Sequence, residues 1–265
     1  MSPIRLTEIW IYPIKSLGGI RLHSSKVMEK GLAFDRRWML VDEANVFMTQ
    51  RVHPMMALFK LEMSQLSFKI TFKNDSITLP FIHSVIQTEI KTKVWDDEVI
   101  TFEVSEEYSR WFSKNLGMTC KLVSFPEENT RPVDTRFKIN DENVSLADGY
   151  PFLIIGQSSL DDLNGRLESP ILTNRFRPNL VFTGGQPYEE DSWRFFTVGE
   201  NKFAGVKPCS RCVLTTVNQE TGEKGKEPLA TLAKYRQVEN KIYFGQNVLA
   251  IDHNEIHEGD EIQIQ

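Results

Sequence analysis

The stretch IRLTEIWIYP, residues 4–13, partly alternates between apolar and polar side chains and is rich in strand-forming residues. This pattern predicts a β-strand. Four runs of the same kind follow, separated by polar or turn residues: RWMLVD at 37–42, ALFKLEM at 57–63, LSFKITF at 66–72 and EVITFEV at 98–104. Many short strands joined by close turns are typical of a barrel or a sandwich.

The first helix is predicted over residues 105–117, SEEYSRWFSKNLG, where apolar side chains recur at helical spacing. Ser105 can cap its N-terminus and Gly117 can end it. A polar stretch without apolar periodicity occupies residues 126–151 and predicts a long loop, either ordered over a site or partly mobile. FLIIG at 152–156 then predicts a buried strand.

Two further helices are predicted in the second half of the chain. QSSLDDLNGRL, residues 157–167, begins with Ser158 or Ser159 as a candidate N-cap, followed by acids in the first turn. A shorter helix is predicted over 227–236, with Pro228 in its first turn. The predicted fold class is therefore mainly β with a few helices, in two parts that divide near the first helix.

Composition excludes several classes of protein. The 265 residues carry a formal net charge of -5, which gives no bulk attraction to nucleic acid or to anionic membranes. No apolar run approaches the roughly 20 residues that span a bilayer, and the N-terminus lacks the pattern of a signal peptide. Three cysteines are an odd count, which argues against a disulfide framework and for a reducing compartment. We expect a cytoplasmic protein that binds neither nucleic acid nor membrane.

The segment KPCSRCVLTTV, residues 207–217, carries two of the three cysteines, Cys209 and Cys212. A structural zinc site commonly needs two such pairs, and the only other cysteine is Cys120. A redox dithiol of the thioredoxin type precedes a helix, whereas VLTTV predicts a strand. A reducing compartment, expected from the odd number of cysteines, disfavours a disulfide between Cys209 and Cys212. Two small buried thiols remain an open alternative.

A single thiolate that binds a soft metal is also open. Arg211 beside Cys212 favours the ionised thiol, and thiolates suit soft centres. His253 and His257 are four residues apart in a segment rich in strand formers, where that spacing does not bring two side chains together, and a structural or surface role is expected for both.

Three other fragments combine cations with turns or strand starts, as expected of an anion site. Arginine forks match phosphate oxygens in a bidentate way, although solvated surface cations are the ordinary alternative. The chain has no P-loop, no dinucleotide-binding glycine motif and no nucleophile elbow. The fragments are YPIKSLGG with Lys15 and Ser16, GLAFDRRWMLV with Arg36 and Arg37, and NRFRPNLVF with Arg175, Arg177 and Asn179.

Taken together, these fragments resemble the MOSC superfamily, and most closely its amidoxime-reducing components. The resemblance covers essentially the whole chain, because seven fragments occur in the family's order. They are YPIKS, DRRWMLVD, PFLIIGQSSLDDLNGRL, NRFRPNLVF, EEDSW, CSRCVLTTV with TGEKGKEPLATLAKYR, and FGQN.

The resemblance implies a β-barrel MOSC domain, residues 119–265, preceded by a smaller β-rich N-terminal domain, residues 1–118. It implies a molybdenum cofactor at their junction, a pterin whose dithiolene and phosphate the protein must accommodate. The second cysteine of the CSRC run, Cys212, matches the family's metal ligand. The residues that match the family's cofactor contacts are Lys15, Ser16, Arg36, Arg177, Asn179, Ser210, Arg211 and Cys212.

Asp148 stands where the family has an acid near the metal, and it is the candidate for proton delivery or a hydrogen bond there. Gly149 and Tyr150, which follow it, depart from the hydroxyl-bearing pair of the closest eukaryotic members. Spacing from the predicted VLTTV strand also favours Cys212 over Cys209 as the ligand, because a strand would fix its Cβ direction.

The implied activity is molybdenum-dependent reduction of N-hydroxylated compounds: amidoximes, hydroxylamines and N-hydroxylated bases. Because the sequence ends at Gln265, we expect neither the ferredoxin domain of some bacterial relatives nor the N-terminal anchor of eukaryotic ones. We therefore expect a separate electron-transfer protein as partner, of ferredoxin-like, flavin reductase or cytochrome b type. The alternative is a MOSC module without enzyme activity that carries sulfur or delivers the cofactor.

Overall fold

The computed structural model describes residues 3–82, 86 and 88–265, and within them strands predominate over helices. The predicted mainly β fold class is confirmed. The strands are β1 (Arg5–Ile11), β2 (Ile20–Leu22), β3 (Ser24–Met28), β4 (Gly31–Leu32), β5 (Trp38–Val41), β6 (Lys60–Met63), β7 (Ser67–Phe72), β8 (Asp75–Pro80), β9 (Glu89–Val94), β10 (Asp97–Glu103), β11 (Lys121–Ser124), β12 (Phe152–Gly156), β13 (Leu180–Thr183), β14 (Phe195–Val198), β15 (Asn201–Arg211), β16 (Gln237–Val238), β17 (Lys241–Ala250), β18 (Glu255–His257) and β19 (Ile262–Ile264). The helices are α1 (Glu106–Leu116), α2 (Gln157–Asn164) and α3 (Leu229–Leu232), with 3₁₀ turns at Pro54–Leu58, Thr173–Arg175, Glu189–Ser192 and Val213–Thr216.

Four sheets organise these strands. The largest is a curled half-barrel in the order β19-β14-β15-β17-β12-β13-β1-β2, with β16 pairing to β17. A four-stranded sheet runs β5-β11-β10-β9, and two three-stranded sheets run β18-β3-β4 and β6-β7-β8. Buried aromatic and aliphatic side chains from several sheets form one large core cluster, which is why the sheets pack together.

Strand pairing crosses the predicted domain boundary between residues 118 and 119. The N-terminal strand β1 pairs antiparallel with β13 of the second half, and β11 pairs with β5 and β10 of the first half. Each half therefore supplies a strand that pairs with strands of the other half, so the two halves are joined by backbone hydrogen bonds. The exact boundary stays a prediction.

The first helix is confirmed with both of its predicted ends. The Ser105 side chain accepts a hydrogen bond from the Tyr108 backbone N–H at 3.4 Å, which caps α1. Gly117 ends the helix at a φ of 70°, a left-handed conformation that costs glycine little. The buried strand at 152–156 is also confirmed, since all five residues of β12 are buried.

The predicted cap of α2 is wrong. The helix begins at Gln157 with Gly156 as its N-cap, and no side chain caps it. The Ser159 hydroxyl instead donates to the buried Glu190 carboxylate, 2.9 Å away, and accepts a hydrogen bond from the Tyr188 backbone N–H. The first turn holds no acid. Ser159, one of the two candidate caps in the sequence, thus bonds the Glu189–Ser192 turn and the residue before it instead of capping α2.

The strand predicted at VLTTV is wrong as well. Strand β15 precedes Cys212, and a 3₁₀ turn at Val213–Thr216 follows it. The hydroxyl of Thr215 donates to the Cys212 carbonyl at 2.9 Å, and that of Thr216 donates to the Val213 carbonyl at 2.8 Å. These local bonds compete with strand pairing, which explains why β-branched residues adopt a turn here.

Two other segments differ from expectation only in extent. The helix predicted at 227–236 is limited to the single turn of α3, with Pro228 just before it. Residues 126–151 hold one isolated bridge, Pro132 to Asn143, and otherwise form a long loop. Among the described helices, none is long and apolar enough to cross a membrane.

Candidate functional site

A cavity of about 330 Å³ lies where the two halves of the chain meet. This volume is in the range of small-molecule and cofactor sites. Its lining includes every residue that the sequence predicted for the site, although those residues lie in separate parts of the chain. They are Lys15, Ser16, Arg36, Asp148, Arg177, Asn179, Ser210, Arg211 and Cys212.

The lining is strongly cationic. Among the described residues that line the cavity, one carboxylate faces six cations, namely Asp148 against Lys15, Arg36, Arg51, Arg177, Lys207 and Arg211. So many like charges in a partly buried space repel one another unless an anion neutralises them. The chemistry of the lining therefore fits a polyanionic ligand.

Two of these cations are stacked on one aromatic ring. The guanidinium carbons of Arg36 and Arg177 lie 4.5 and 4.1 Å from the ring centroid of Tyr12. Burial raises the pKa of Tyr12 above its ordinary value, so its hydroxyl is neutral and donates to the Pro178 carbonyl at 3.1 Å. The shared ring contacts both guanidinium groups, and Arg36 is also paired with the buried Asp35 carboxylate at 2.6 Å.

Three of the predicted contacts have left-handed backbone conformations. Ser16, Arg36 and Arg177 have φ values of 67°, 52° and 56°. Residues other than glycine seldom adopt this region, and each such residue costs on the order of 1 kcal/mol. Backbone strain of this kind clusters at functional sites, where the surrounding structure maintains it. Its coincidence with the cavity is an independent sign that these side chains are placed for a ligand.

Asn179 ties the strands behind the cavity together. Its side-chain amide donates to the Trp10 carbonyl at 3.1 Å, and its side-chain oxygen accepts from the Leu153 backbone N–H at 3.3 Å. The same oxygen accepts from the Arg36 guanidinium at 3.2 Å. Asn179 is 1% exposed, so it fixes Arg36 through buried bonds from both halves of the chain.

The other two arginines of the predicted anion fragments do not line the cavity. Arg37 pairs with Glu127, and Arg175 donates to the Thr215 carbonyl at 2.8 Å. Lys207 does line it, with its ammonium 4.5 Å from the ring centroid of Phe137. In the sequence, Lys207 stands at the start of the cysteine segment and belongs to none of the three cation fragments.

The two cysteines of the CSRC run have different surroundings. Cys209 packs against an apolar cluster around Phe176 and accepts a hydrogen bond from Arg211 at 2.9 Å. Cys212 accepts one from the Nε of Arg51 at 3.1 Å. Cys120 is buried beside Ser113 and does not line the cavity. Because no strand follows Cys212, the sequence-based reason for preferring it over Cys209 as the metal ligand does not hold. The hydrogen bond from Arg51 to Cys212 provides a different reason.

Arg51 is the main site residue that sequence analysis missed. Besides its bond to Cys212, its terminal nitrogen donates to Asp148 Oδ2 at 2.6 Å. Arg51 lies in TQRVHP, which matches no motif, so only the fold reveals its position. The guanidinium bridges the thiol and the carboxylate of the cavity, and its pKa is raised by both of them against the opposing effect of burial.

Asp148 is the acceptor for three donors. Besides Arg51, it accepts from Lys15 Nζ at 2.6 Å and from the indole N–H of Trp95 at 3.1 Å. Partial burial raises the pKa of Asp148, but Lys15 and Arg51 together lower it well below its ordinary range. Burial lowers the pKa of Lys15 to about 8, against the opposing charge of Asp148. Near neutral pH, Lys15 is therefore the proton carrier of the pair and Asp148 is an acceptor.

The long loop is ordered where it approaches the cavity. Arg131, which is 4% exposed, donates to the Ser145 carbonyl at 2.9 Å and to the Asp148 carbonyl at 3.2 Å. Its Nε donates to Asp97 at 2.7 Å. This buried guanidinium fixes the backbone that carries Asp148. Gly149 and Tyr150, which follow it, also line the cavity.

The remaining sequence candidates lie outside the cavity. Trp193 is 1% exposed and belongs to the core, and Asp191 pairs with Arg236. His253 and His257 are exposed near β18. His253 and His257 thus have the surface positions expected from the sequence, while the EEDSW fragment contributes to the core and to an ion pair.

The cavity as a whole combines a soft potential metal ligand, the thiol of Cys212, with cations that can bind an anion. The Nε of Arg211 is buried and has no hydrogen-bond partner among the described residues, although it borders the cavity. An unsatisfied buried donor beside a cavity is consistent with a water or a ligand that completes its hydrogen bonds. The lining therefore fits a phosphate-bearing group at its cationic part, with a soft metal at the thiol of Cys212.

Two family models match the chain. The MOSC N-terminal beta barrel domain matches residues 3–119, and the MOSC domain matches residues 141–263. The cavity is lined from both matched regions, and Asp148 and Cys212 lie in the second.

The chain is also similar to individual known proteins. The mitochondrial amidoxime-reducing component 1 of Mus musculus is 33% identical, over 98% of this chain and 82% of the relative. The molybdenum cofactor sulfurase of Oryza sativa subsp. japonica is 32% identical over 98% of this chain, which spans only 34% of that relative's length. The crystal structure of the YuaD protein from Bacillus subtilis aligns with a TM-score of 0.45 at 10% identity, over 98% of this chain and 93% of that one.

Proposed function

The chain belongs to the MOSC family, and from that premise we propose that it is a molybdenum-cofactor-dependent reductase of N-hydroxylated compounds. The net reaction converts an N–OH group to N–H, with two electrons and two protons consumed and water released. Amidoximes, hydroxylamines and N-hydroxylated bases are the substrate classes.

One observation carries the proposal. Cations from both halves of the chain converge on the cavity that also contains the Cys212 thiol. A protein that only carries sulfur needs the thiol but has no use for a phosphate cradle. A cofactor with an anionic end and a soft metal end needs both.

The residues divide between the two ends of the cofactor. Arg36 and Arg177 are proposed to bind the phosphate, with Lys15, Ser16, Asn179, Ser210 and Arg211 as further cofactor contacts, and Cys212 is the proposed metal ligand. When bound, the cofactor supplies two-electron reduction with removal of one oxygen atom. The protein binds it, orients it and controls the protons nearby.

Proton supply is assigned to Lys15, with Asp148 as its acceptor partner. Lys15 Nζ lies 2.6 Å from Asp148 and has a pKa lowered to about 8, which suits proton transfer near neutral pH. Asp148 is half-exposed at the cavity and carries a charge, so it can accept a hydrogen bond from a substrate N–OH group. Of the two roles that the sequence left open for Asp148, proton delivery and a hydrogen bond near the metal, we propose the second.

Electrons are proposed to come from a separate electron-transfer protein of ferredoxin-like, flavin reductase or cytochrome b type. The proposed compartment is the cytoplasm, because an odd number of cysteines argues for a reducing compartment. A chain that reduced substrate with NADH alone would contradict the need for such a partner.

A second candidate is a protein that carries sulfur as a persulfide, or that delivers the cofactor. The observation in its favour is that each thiol of the CSRC run has its own guanidinium, Arg51 on Cys212 and Arg211 on Cys209, within 3.1 Å. Both cysteines are partly exposed in the cavity.

Metal and pterin analysis, combined with turnover, tests the proposal. The protein is purified from a host that makes the cofactor and assayed anaerobically with an artificial electron donor and N-hydroxylated compounds. We expect one molybdenum and one pterin per chain, together with reduction of at least one compound. Labile sulfur on cysteine without molybdenum or turnover would favour the carrier instead.

A further inference from the structure

Trp95 is not a lining residue of the cavity, but its indole N–H bonds Asp148, which lines it. Trp95 lies in the turn between β9 and β10 with a φ of 57°, and it is 43% exposed. Glycine and asparagine tolerate that backbone conformation far better than a bulky aromatic residue does. An indole that is both strained and half-exposed contributes little to the core, so another role must account for it.

Three contacts hold the Trp95 ring in one orientation. The guanidinium carbon of Arg51 lies 4.8 Å from its centroid, and the Phe47 ring packs against it at 5.1 Å and 60°. Its indole N–H donates to Asp148 Oδ1 at 3.1 Å. Two of these partners, Arg51 and Asp148, line the cavity. The ring is therefore fixed directly to the site while a large part of it stays open to solvent.

We propose that the exposed part of the Trp95 indole is a stacking platform that selects substrates with a planar, conjugated, uncharged group next to the N–OH. Arg51 is the positioning residue that holds the platform. This inference rests on the proposed reductase function.

The chemistry of the site supports this selection. A fixed aromatic ring favours a second π-system over a saturated chain, because offset stacking adds to simple area burial. The indole is already ordered, so little conformational entropy is lost when a ligand stacks on it. The Arg51 guanidinium already lies 4.8 Å from the centroid of the same ring and disfavours a second positive charge there, which leaves neutral conjugated amidoximes and N-hydroxylated bases as the class.

The test compares two neutral probes of the same reactive group, aromatic benzamidoxime and aliphatic acetamidoxime. Their dissociation constants are measured by calorimetry on the cofactor-loaded protein without an electron donor, so that binding is observed apart from turnover. The variants are Trp95→Ala, which removes the ring, and Trp95→Phe, which keeps a ring but loses the N–H to Asp148. The matched control is Phe195→Ala, since Phe195 is 40% exposed beneath the ammonium of Lys202 and does not line the cavity.

We expect the wild type to prefer benzamidoxime by about tenfold, Trp95→Ala to lose most of that preference, and Trp95→Phe and Phe195→Ala to keep it. The affinity for acetamidoxime should stay the same in Trp95→Ala. An unchanged preference in Trp95→Ala overturns the platform, as does an equal loss for both probes, which would mean that Trp95 only positions Asp148.

Failure of the proposed function is distinguishable from failure of the platform. If the wild type reduces no N-hydroxylated compound with any donor, the reductase proposal fails, while the binding ratio still decides the role of Trp95. A wild type that binds neither probe overturns the platform too.

Discussion

The Nε of Arg51 donates a hydrogen bond to the Sγ of Cys212 at 3.1 Å, across 161 residues of sequence. The same guanidinium bonds the Asp148 carboxylate. One cation from the first half of the chain thus joins the proposed metal ligand to the proposed substrate acceptor. The two halves are linked at the point where the chemistry is proposed to take place.

Removing this link should impair turnover more than cofactor content. Arg51→Met leaves Asp148 and Cys212 without their shared donor, and we expect kcat/KM to fall by about 100-fold. Molybdenum content should change little, because the proposed phosphate contacts are other residues. Arg51→Lys restores the charge but not the forked geometry, so it should recover only part of the rate. Full activity in Arg51→Met would contradict a functional link.

Arg177 should matter for the cofactor and not for the fold. Its side chain is buried, and burial lowers its pKa to about 10, so its charge costs stability at neutral pH. We expect Arg177→Met to lose most of its molybdenum and pterin while the cofactor-free protein stays at least as stable as the wild type, because the cost of burying the charge is removed. Metal analysis and urea unfolding measure the two effects. Arg110→Met, at an exposed ion pair on α1, is the control and should alter neither.

The lowered pKa of Lys15 predicts a pH dependence of stability. Because its folded pKa of about 8 lies below the ordinary value of 10.5, the cost of burying its charge is fully present below pH 8 and disappears as pH rises from 8 to 10.5. The difference corresponds to on the order of 3 kcal/mol. In cofactor-free protein, the stability of the wild type relative to Lys15→Met should therefore rise over this interval. Urea unfolding at pH 7, 8.5 and 10 checks it, and a flat difference would contradict the assignment.

The Lys15–Asp148 pair also predicts an effect on anion binding. The charge of Asp148 raises the pKa of Lys15, so Asp148→Asn should lower it below about 8. Binding of inorganic phosphate to the cofactor-free protein should then weaken at a lower pH in the variant than in the wild type. Calorimetric titration across pH 6 to 9 measures this shift. The same pH dependence in both proteins would mean that Lys15 does not contribute to the anion site.

Sequence predicted the parts of this protein that depend on local pattern. The ends of α1 are set by Ser105 and Gly117, which act within one turn of the chain. Lys15 and Ser16 were found for the same reason, as part of a strand-turn fragment, whereas Ser210 was found through the resemblance to the MOSC superfamily. Their roles toward a cofactor stay predictions.

Sequence could not predict what depends on distant contacts. Arg51 and Trp95 reach Asp148 across 97 and 53 residues, and no local pattern marks either of them. The turn after Cys212 was predicted as a strand because β-branched propensity outweighed the hydroxyl bonds of Thr215 and Thr216, which are visible only in the folded chain.

The most direct test of the central claim is the number of sulfur atoms bound to molybdenum, measured by X-ray absorption at the metal edge. In the wild type we expect three sulfur ligands, two from the cofactor and one from Cys212. Cys212→Ser should contain two and lose turnover, whereas Cys209→Ser should keep three and much of the rate. A wild type without molybdenum, or a loss of one sulfur in Cys209→Ser and none in Cys212→Ser, would contradict the account.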